Sequence, residues 1–81
     1  MYTIYSKPNC TFCDQAKALM KTKELPYQEF IIDVGQPKDP NKFYVTATYL
    51  KELVPTARTV PQIFEGERLV GGFQELKAEL V

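Results

Sequence analysis

The order of residue patterns along this chain predicts an α/β fold, a four-stranded mixed sheet flanked by three helices in the order β-α-β-α-β-β-α. Three observations carry that expectation. Runs rich in β-branched and aromatic residues alternate with amphipathic runs of helical period. Pro and Gly punctuate the junctions, and no internal repeat, low-complexity segment or linker interrupts the order. With 81 residues and 44% hydrophobic content, residues 1–81 are expected to form one small domain that buries about 60 to 65% of the surface its unfolded chain exposes.

Tyr2 to Ser6 alternates apolar with polar side chains and reads as the first strand. Pro8 and Asn9 break it. From about Thr11 to Lys23, Phe12, Ala16, Leu19 and Met20 recur at helical spacing while lysines fill the other face, so this is an amphipathic helix. Leu25-Pro26 ends it, and Tyr27 to Ile32 suits a second strand. A β-α-β order implies a right-handed crossover between parallel strands. Val34 to Lys42, with Gly35, Pro37, Asp39 and Pro40, reads as a loop; Asp39-Pro40 looks like a helix cap, with Phe43, Ala47, Leu50 and Val54 on one face of a second helix that Pro55 closes. Pro61 to Glu65 is strand-like, Gly66 marks a tight turn, and Arg68 to Val70 pairs back as a hairpin. After Gly71-Gly72, the residues Phe73, Leu76, Lys77 and Leu80 give a last helix.

Composition removes several function classes. Histidine is absent, so no Ser-His-Asp or Cys-His nucleophile pair and no histidine metal site is possible. Two cysteines fall short of the four ligands of structural zinc, and no metal is expected in a monomer. Lys plus Arg and Asp plus Glu are ten each, a balance that argues against a nucleic-acid partner. The segment Met1-Tyr2-Thr3-Ile4-Tyr5-Ser6 carries neither a basic leader nor a long apolar stretch, so no membrane partner and a cytoplasmic location are the expectation. Lys7, Lys17, Lys21 and Lys23 stand against Asp14 alone in the first 23 residues. Those lysines suit solvated helix faces, or a mildly positive mouth that attracts a small anionic thiol.

The chemistry lies in Cys10-Thr11-Phe12-Cys13, which holds both cysteines one helical turn apart, after a strand and at the start of a helix. In a reducing compartment such a pair is more often catalytic or metal-binding than structural. A cysteine at a helix N-terminus faces unpaired backbone N–H groups and the positive end of the helix dipole, both of which favour thiolate. Lys7 adds a nearby positive charge. Lowering the pKa by about two units from ~8.5 raises the thiolate fraction at pH 7 from about 3% to about 75%. Lost basicity trims the net gain in attack to about threefold; the larger benefit is in leaving from a mixed disulfide. Cys10, at the open end, is the expected attacking thiol, and Cys13, deeper in the helix, the resolving one. An inert buried pair and a shared metal site are the other readings of the same spacing.

Two distant segments bear on the pair. Thr59-Val60-Pro61 precedes a strand, and a cis Val60–Pro61 bond turns the Val60 N–H and C=O outward to pair with an extended, peptide-like thiol. A plain strand-start proline is the alternative. Gly71-Gly72 permits a close backbone approach where helix N–H groups meet a carboxylate, or is a simple strand-to-helix turn.

Cys10-Thr11-Phe12-Cys13 after a strand, then Thr59-Val60-Pro61-Gln62-Ile63-Phe64 and Val70-Gly71-Gly72-Phe73, strongly resemble in order and spacing the glutaredoxins, particularly the short dithiol forms of bacteria and their phages. The resemblance spans essentially the whole chain. It implies a thioredoxin-like fold and reduction of protein disulfides and glutathione mixed disulfides, with glutathione as co-substrate, ribonucleotide reductase among the possible protein partners, and no tightly bound cofactor. By the same resemblance Cys10 is the nucleophile, Cys13 the resolving thiol and Lys7 a support for the thiolate and for glutathione. Val60, before Pro61, pairs with the cysteinyl part and Thr59 flanks it. Gly72, Phe73 and Gln74 receive the γ-glutamyl end, Arg58 meets the glycyl carboxylate, and Phe12 keeps an aromatic wall. Thr11-Phe12 replaces the common Pro-Tyr, and Gln74 stands where many members carry an acidic or hydroxyl residue. Two further readings share these residues: electron supply from a thioredoxin reductase, and a non-enzymatic dimer holding an iron–sulfur cluster through Cys10 and glutathione, or a metal through four cysteines.

Overall fold

The computed structural model describes residues 1–80; Val81, the last residue of the expected domain, lies outside the described residues. Its elements are β1 (Tyr2–Ser6), α1 (Thr11–Thr22), β2 (Tyr27–Ile32), β3 (Phe43–Val45), α2 (Ala47–Leu53), β4 (Gln62–Glu65), β5 (Arg68–Gly71) and α3 (Phe73–Leu80). The strands form one sheet in the order β3-β2-β1-β4-β5, with β1 central. β1 pairs parallel with β2, Tyr2 opposite Tyr27, and antiparallel with β4, Ile4 opposite Ile63. The sheet therefore has five strands where four were expected.

The extra strand corrects the reading of the second helix. Residues Phe43, Tyr44 and Val45 pair parallel with Phe30, Ile31 and Ile32. Aromatic and β-branched side chains suit a pleated surface, and this preference prevails over the chance four-residue spacing of Phe43 and Ala47. The cap is Thr46, whose hydroxyl accepts the Tyr49 N–H at 3.0 Å. Asp39 closes a turn instead: its carboxylate accepts the Asn41 N–H at 2.8 Å and its carbonyl the Lys42 N–H at 3.0 Å.

Period-two alternation sorts the side chains of β1 between two cores. Tyr2 and Ile4 face α1 and α3 and pack with Ala16, Met20, Ile63 and Leu76. Tyr5 points the other way, onto Ile32, Leu50, Val54 and Ala57 beneath α2. The result is three layers, with α1 and α3 on one face of the sheet and α2 on the other. Among the described residues no helix is long and apolar enough to cross a membrane.

One polar network interrupts the first core. Ser6 Oγ donates to Glu29 Oε2 at 2.6 Å, and Lys17 Nζ donates to the same oxygen at 2.9 Å. Burial works against the charge on Glu29, yet these two hydrogen bonds and the lysine charge prevail and hold its carboxyl below the ordinary glutamate range. The network ties β1, just before the segment that carries Lys7, to β2 and to the second turn of α1.

Candidate active site

The turn before α1 sets the site. Asn9 takes a left-handed conformation at φ 57, and Cys10 is extended at φ −115, ψ 104, which makes it the N-cap of α1. Its sulfur accepts the Cys13 N–H at 3.1 Å, the place that a Ser or Asp oxygen usually takes. Cys10 and Cys13 are joined in a disulfide, their Cα atoms 5.2 Å apart. Cys10 is 9% exposed and Cys13 only 1%. Any reagent in solution therefore meets Cys10 first.

Opposite the disulfide lies the segment from Arg58 to Pro61. The Val60–Pro61 peptide is cis, and the Val60 carbonyl oxygen sits 3.7 Å from Cys10 Sγ across 50 residues of sequence. Gln62, buried at the start of β4, donates its amide to the Thr59 carbonyl at 2.8 Å and fastens this segment to the sheet.

Two cavities meet at Thr59 and Val60. One, of about 290 Å³, is walled by Phe12, Pro61, Gly72 and Phe73, with Gln74 and Glu75 at its rim. Phe12 and Phe73 stack across it, centroids 6.1 Å apart and rings 28° from parallel. The other, of about 210 Å³, is bordered by Lys7, Lys51 and Arg58 over a floor of Ile32 and Leu50. Every residue the sequence selected beside the cysteines borders one of these cavities: Lys7 and Arg58 the second, Phe12, Pro61, Gly72, Phe73 and Gln74 the first, Thr59 and Val60 both.

Two charged residues that border these cavities, Glu75 and Lys51, are not among the residues the sequence points to. Glu75 Oε1 accepts the Gly72 N–H at 2.7 Å, so Gly72 and Glu75 have the three-residue spacing of a capping box at the start of α3. That spacing was readable from sequence. Gly71 lies at φ 124, and a Cβ there would come within 2.7 Å of Glu75 Cγ, so glycine is what lets this carboxylate fold back over the turn. Lys51, in the last turn of α2, has no local signature; only the fold brings it beside Lys7 and Arg58. Among the described residues no three or more His, Cys, Asp and Glu side chains converge as a metal site.

The geometry suits thiol-disulfide exchange, with one approachable sulfur at a helix N-terminus, a covered partner within bonding reach, and an open groove on either side. Comparison with known proteins agrees. A family model described as Glutaredoxin matches residues 2–70. Glutaredoxin 1 of Rickettsia bellii is 39% identical over 74 residues, covering 90% of this chain and 69% of the relative. Glutaredoxin 3 of Escherichia coli K12 is 34% identical over 77 residues, covering 93% of this chain and 80% of the relative. Among solved structures, Glutaredoxin 1 from Francisella tularensis complexed with cacodylate aligns with a TM-score of 0.71 at 30% identity, over 96% of this chain and 88% of that one. A buckwheat glutaredoxin–glutathione complex aligns with a TM-score of 0.69 at 26% identity, over 96% of this chain and 66% of that one. The chain belongs to the glutaredoxin family of the thioredoxin-like superfamily and is, through Cys10 and Cys13, a thiol-disulfide oxidoreductase.

Proposed function

We propose that this protein takes its electrons from glutathione and reduces glutathione mixed disulfides and protein disulfides in the cytosol, acting as a monomer. The observation that carries the reading is the position of Cys10 Sγ beside the Val60 carbonyl, between a cavity edged with cations and a cavity edged by Glu75. Glutathione fits that order of groups. Its cysteinyl part pairs with the Val60 backbone, its glycyl carboxylate meets Lys7 and Arg58, and its γ-glutamyl end lies along Gly72, Phe73 and Gln74. Glu75 offers the ammonium group the charge that Gln74 lacks. The buckwheat complex, a related protein with glutathione bound, supports the same ligand.

In the reaction, the Cys10 thiolate attacks the glutathionyl sulfur of a mixed disulfide. A Cys10–glutathione bond forms as the substrate bond breaks, and the released thiolate takes a proton. A second glutathione thiolate then displaces Cys10 and leaves as glutathione disulfide. With a protein disulfide, Cys13 attacks the bond between Cys10 and the substrate, which frees the reduced substrate and closes the Cys10–Cys13 disulfide; two glutathiones reopen it. Ribonucleotide reductase is a candidate protein disulfide on family resemblance.

Turnover of a small glutathione mixed disulfide, coupled to glutathione reductase, tests this reading. The expected result is steady turnover with glutathione reductase and little with thioredoxin reductase in its place. A clear preference for thioredoxin reductase would overturn the assignment of the electron donor.

A further inference from the structure

The two cavities beside Cys10 carry opposite charge. The one of about 210 Å³ is bordered by three cations, Lys7, Lys51 and Arg58, and by no acidic side chain, whereas Glu75 is the sole charged residue bordering the one of about 290 Å³. Among the described residues none of the three cations takes part in an ion pair. Lys51 reaches this cavity because Ala47, one turn earlier on the same face of α2, also borders it and is too small to fill it. One glycyl carboxylate leaves such a cavity with more positive charge than it neutralises.

The geometry points to protein substrates in which one or two acidic residues directly follow the reacting cysteine, with Lys51 as a residue that selects them. This rests on the glutathione reading for direction: a chain that pairs with Val60 as the cysteinyl part does sends its C-terminal side toward Lys7, Lys51 and Arg58. Acidic residues before the cysteine would instead run toward Glu75 and be repelled. Charge complementarity of this kind sets partner choice and encounter rate more than it sets total affinity.

The test uses three synthetic five-residue peptides as symmetric disulfides, with cysteine at the centre and two glutamates after it, two glutamates before it, or alanines throughout. Protein reduced with dithiothreitol and freed of it reacts once with each peptide: Cys10 bonds to one peptide sulfur and expels the other peptide as a thiol. Cys13 then releases the second peptide as a thiol, so the two electrons of the dithiol reduce one peptide disulfide. Each exposed ion pair is worth a small factor, so wild type is expected to prefer the acid-after peptide to the neutral one by roughly three- to fivefold. Lys51→Gln should shrink that ratio, Lys51→Glu should bring it to one or below, and high salt should erode it in wild type. Equal rates for the acid-after and acid-before peptides, or a ratio unmoved by Lys51→Glu, would overturn the proposal. No glutathione enters this reaction, so failure of glutathione as donor would register separately, in reductase-coupled turnover.

Discussion

The sulfur of Cys10 accepts the backbone N–H of Cys13 at 3.1 Å, so the proposed nucleophile is also the N-cap of the first helix. A capping atom gains from negative charge, because the N–H groups of the first turn lack intrahelical partners and the helix dipole is positive there. Ionising Cys10 therefore strengthens the cap. Cys13 supplies the N–H that caps onto this sulfur and, in the proposed reaction, the sulfur that displaces its adduct.

The division of labour between the two sulfurs is separable by substitution. Cys10→Ser should abolish turnover with every substrate. Cys13→Ser should retain reduction of glutathione mixed disulfides, which needs only the exposed sulfur, and lose most reduction of protein disulfides. Coupled assays with one substrate of each kind check both outcomes, and activity surviving in Cys10→Ser would contradict the assigned nucleophile.

Glu75 joins the fold to the site. Glu75→Ala removes the acceptor of the Gly72 N–H and should cost about 0.5 to 2 kcal/mol in denaturant unfolding, the range of lost helix caps. It should also raise the KM for glutathione, while Glu75→Gln should restore most stability and leave the KM raised. Recovery of both by Gln would mean that the carboxylate serves the turn alone.

Glycine at position 71 is required for two reasons that can be told apart. Gly66 lies at φ 58 with nothing within 4 Å of where an alanine methyl would sit, whereas Gly71 lies at φ 124 with Glu75 Cγ 2.7 Å from that point. Gly66→Ala should cost about 1 kcal/mol from the left-handed backbone alone. Gly71→Ala adds the clash and should cost about 2 to 3 kcal/mol. Equal costs, measured by denaturant unfolding, would show that Glu75 moves aside freely.

Acid should weaken the protein through Glu29. Its folded carboxyl titrates below the ordinary range, so the unfolded chain binds this proton at higher pH than the folded one. The stabilisation is present above about pH 4.3, where an unperturbed glutamate titrates, and is lost as pH falls through the lower folded value. Lys17 runs the other way. Burial disfavours its charge, but Glu29 outweighs that and raises its pKa, so its share is present below the ordinary lysine range and is lost as pH rises through the raised value. Glu29→Gln should flatten the acid limb of a plot of unfolding free energy against pH; an unchanged limb would assign it to other carboxylates.

Patterns that act within a few residues were legible in the sequence. The alternation of Tyr2 to Ser6, the amphipathic spacing of Phe12 to Met20 and the glycines at 66, 71 and 72 each mark their own element. The start of α2 is not legible locally because Phe43 and Ala47 share a helical spacing, while the strand at 43–45 exists through its pairing with Phe30 to Ile32, a contact no local pattern encodes. The site divides in the same way. Cys10 and Cys13 are close in sequence, residue chemistry points to Lys7, Thr59 to Pro61 and Gly72, family resemblance adds Phe12, Arg58, Phe73 and Gln74, and the fold gathers these around two cavities. Lys51 joins them only through the way α2 packs on the sheet. Glu29, mid-strand and half-buried, has its partners on two other elements.

The cap should make the Cys10 sulfur easy to ionise, and the rest of the chemistry depends on it. The direct measurement is the pH dependence of iodoacetamide alkylation of the reduced Cys13→Ser protein, in which Cys10 is the one remaining thiol. A midpoint well below ~8.5, with most of the sulfur reactive at pH 7, is the predicted result; a midpoint at or above ~8.5 would contradict it.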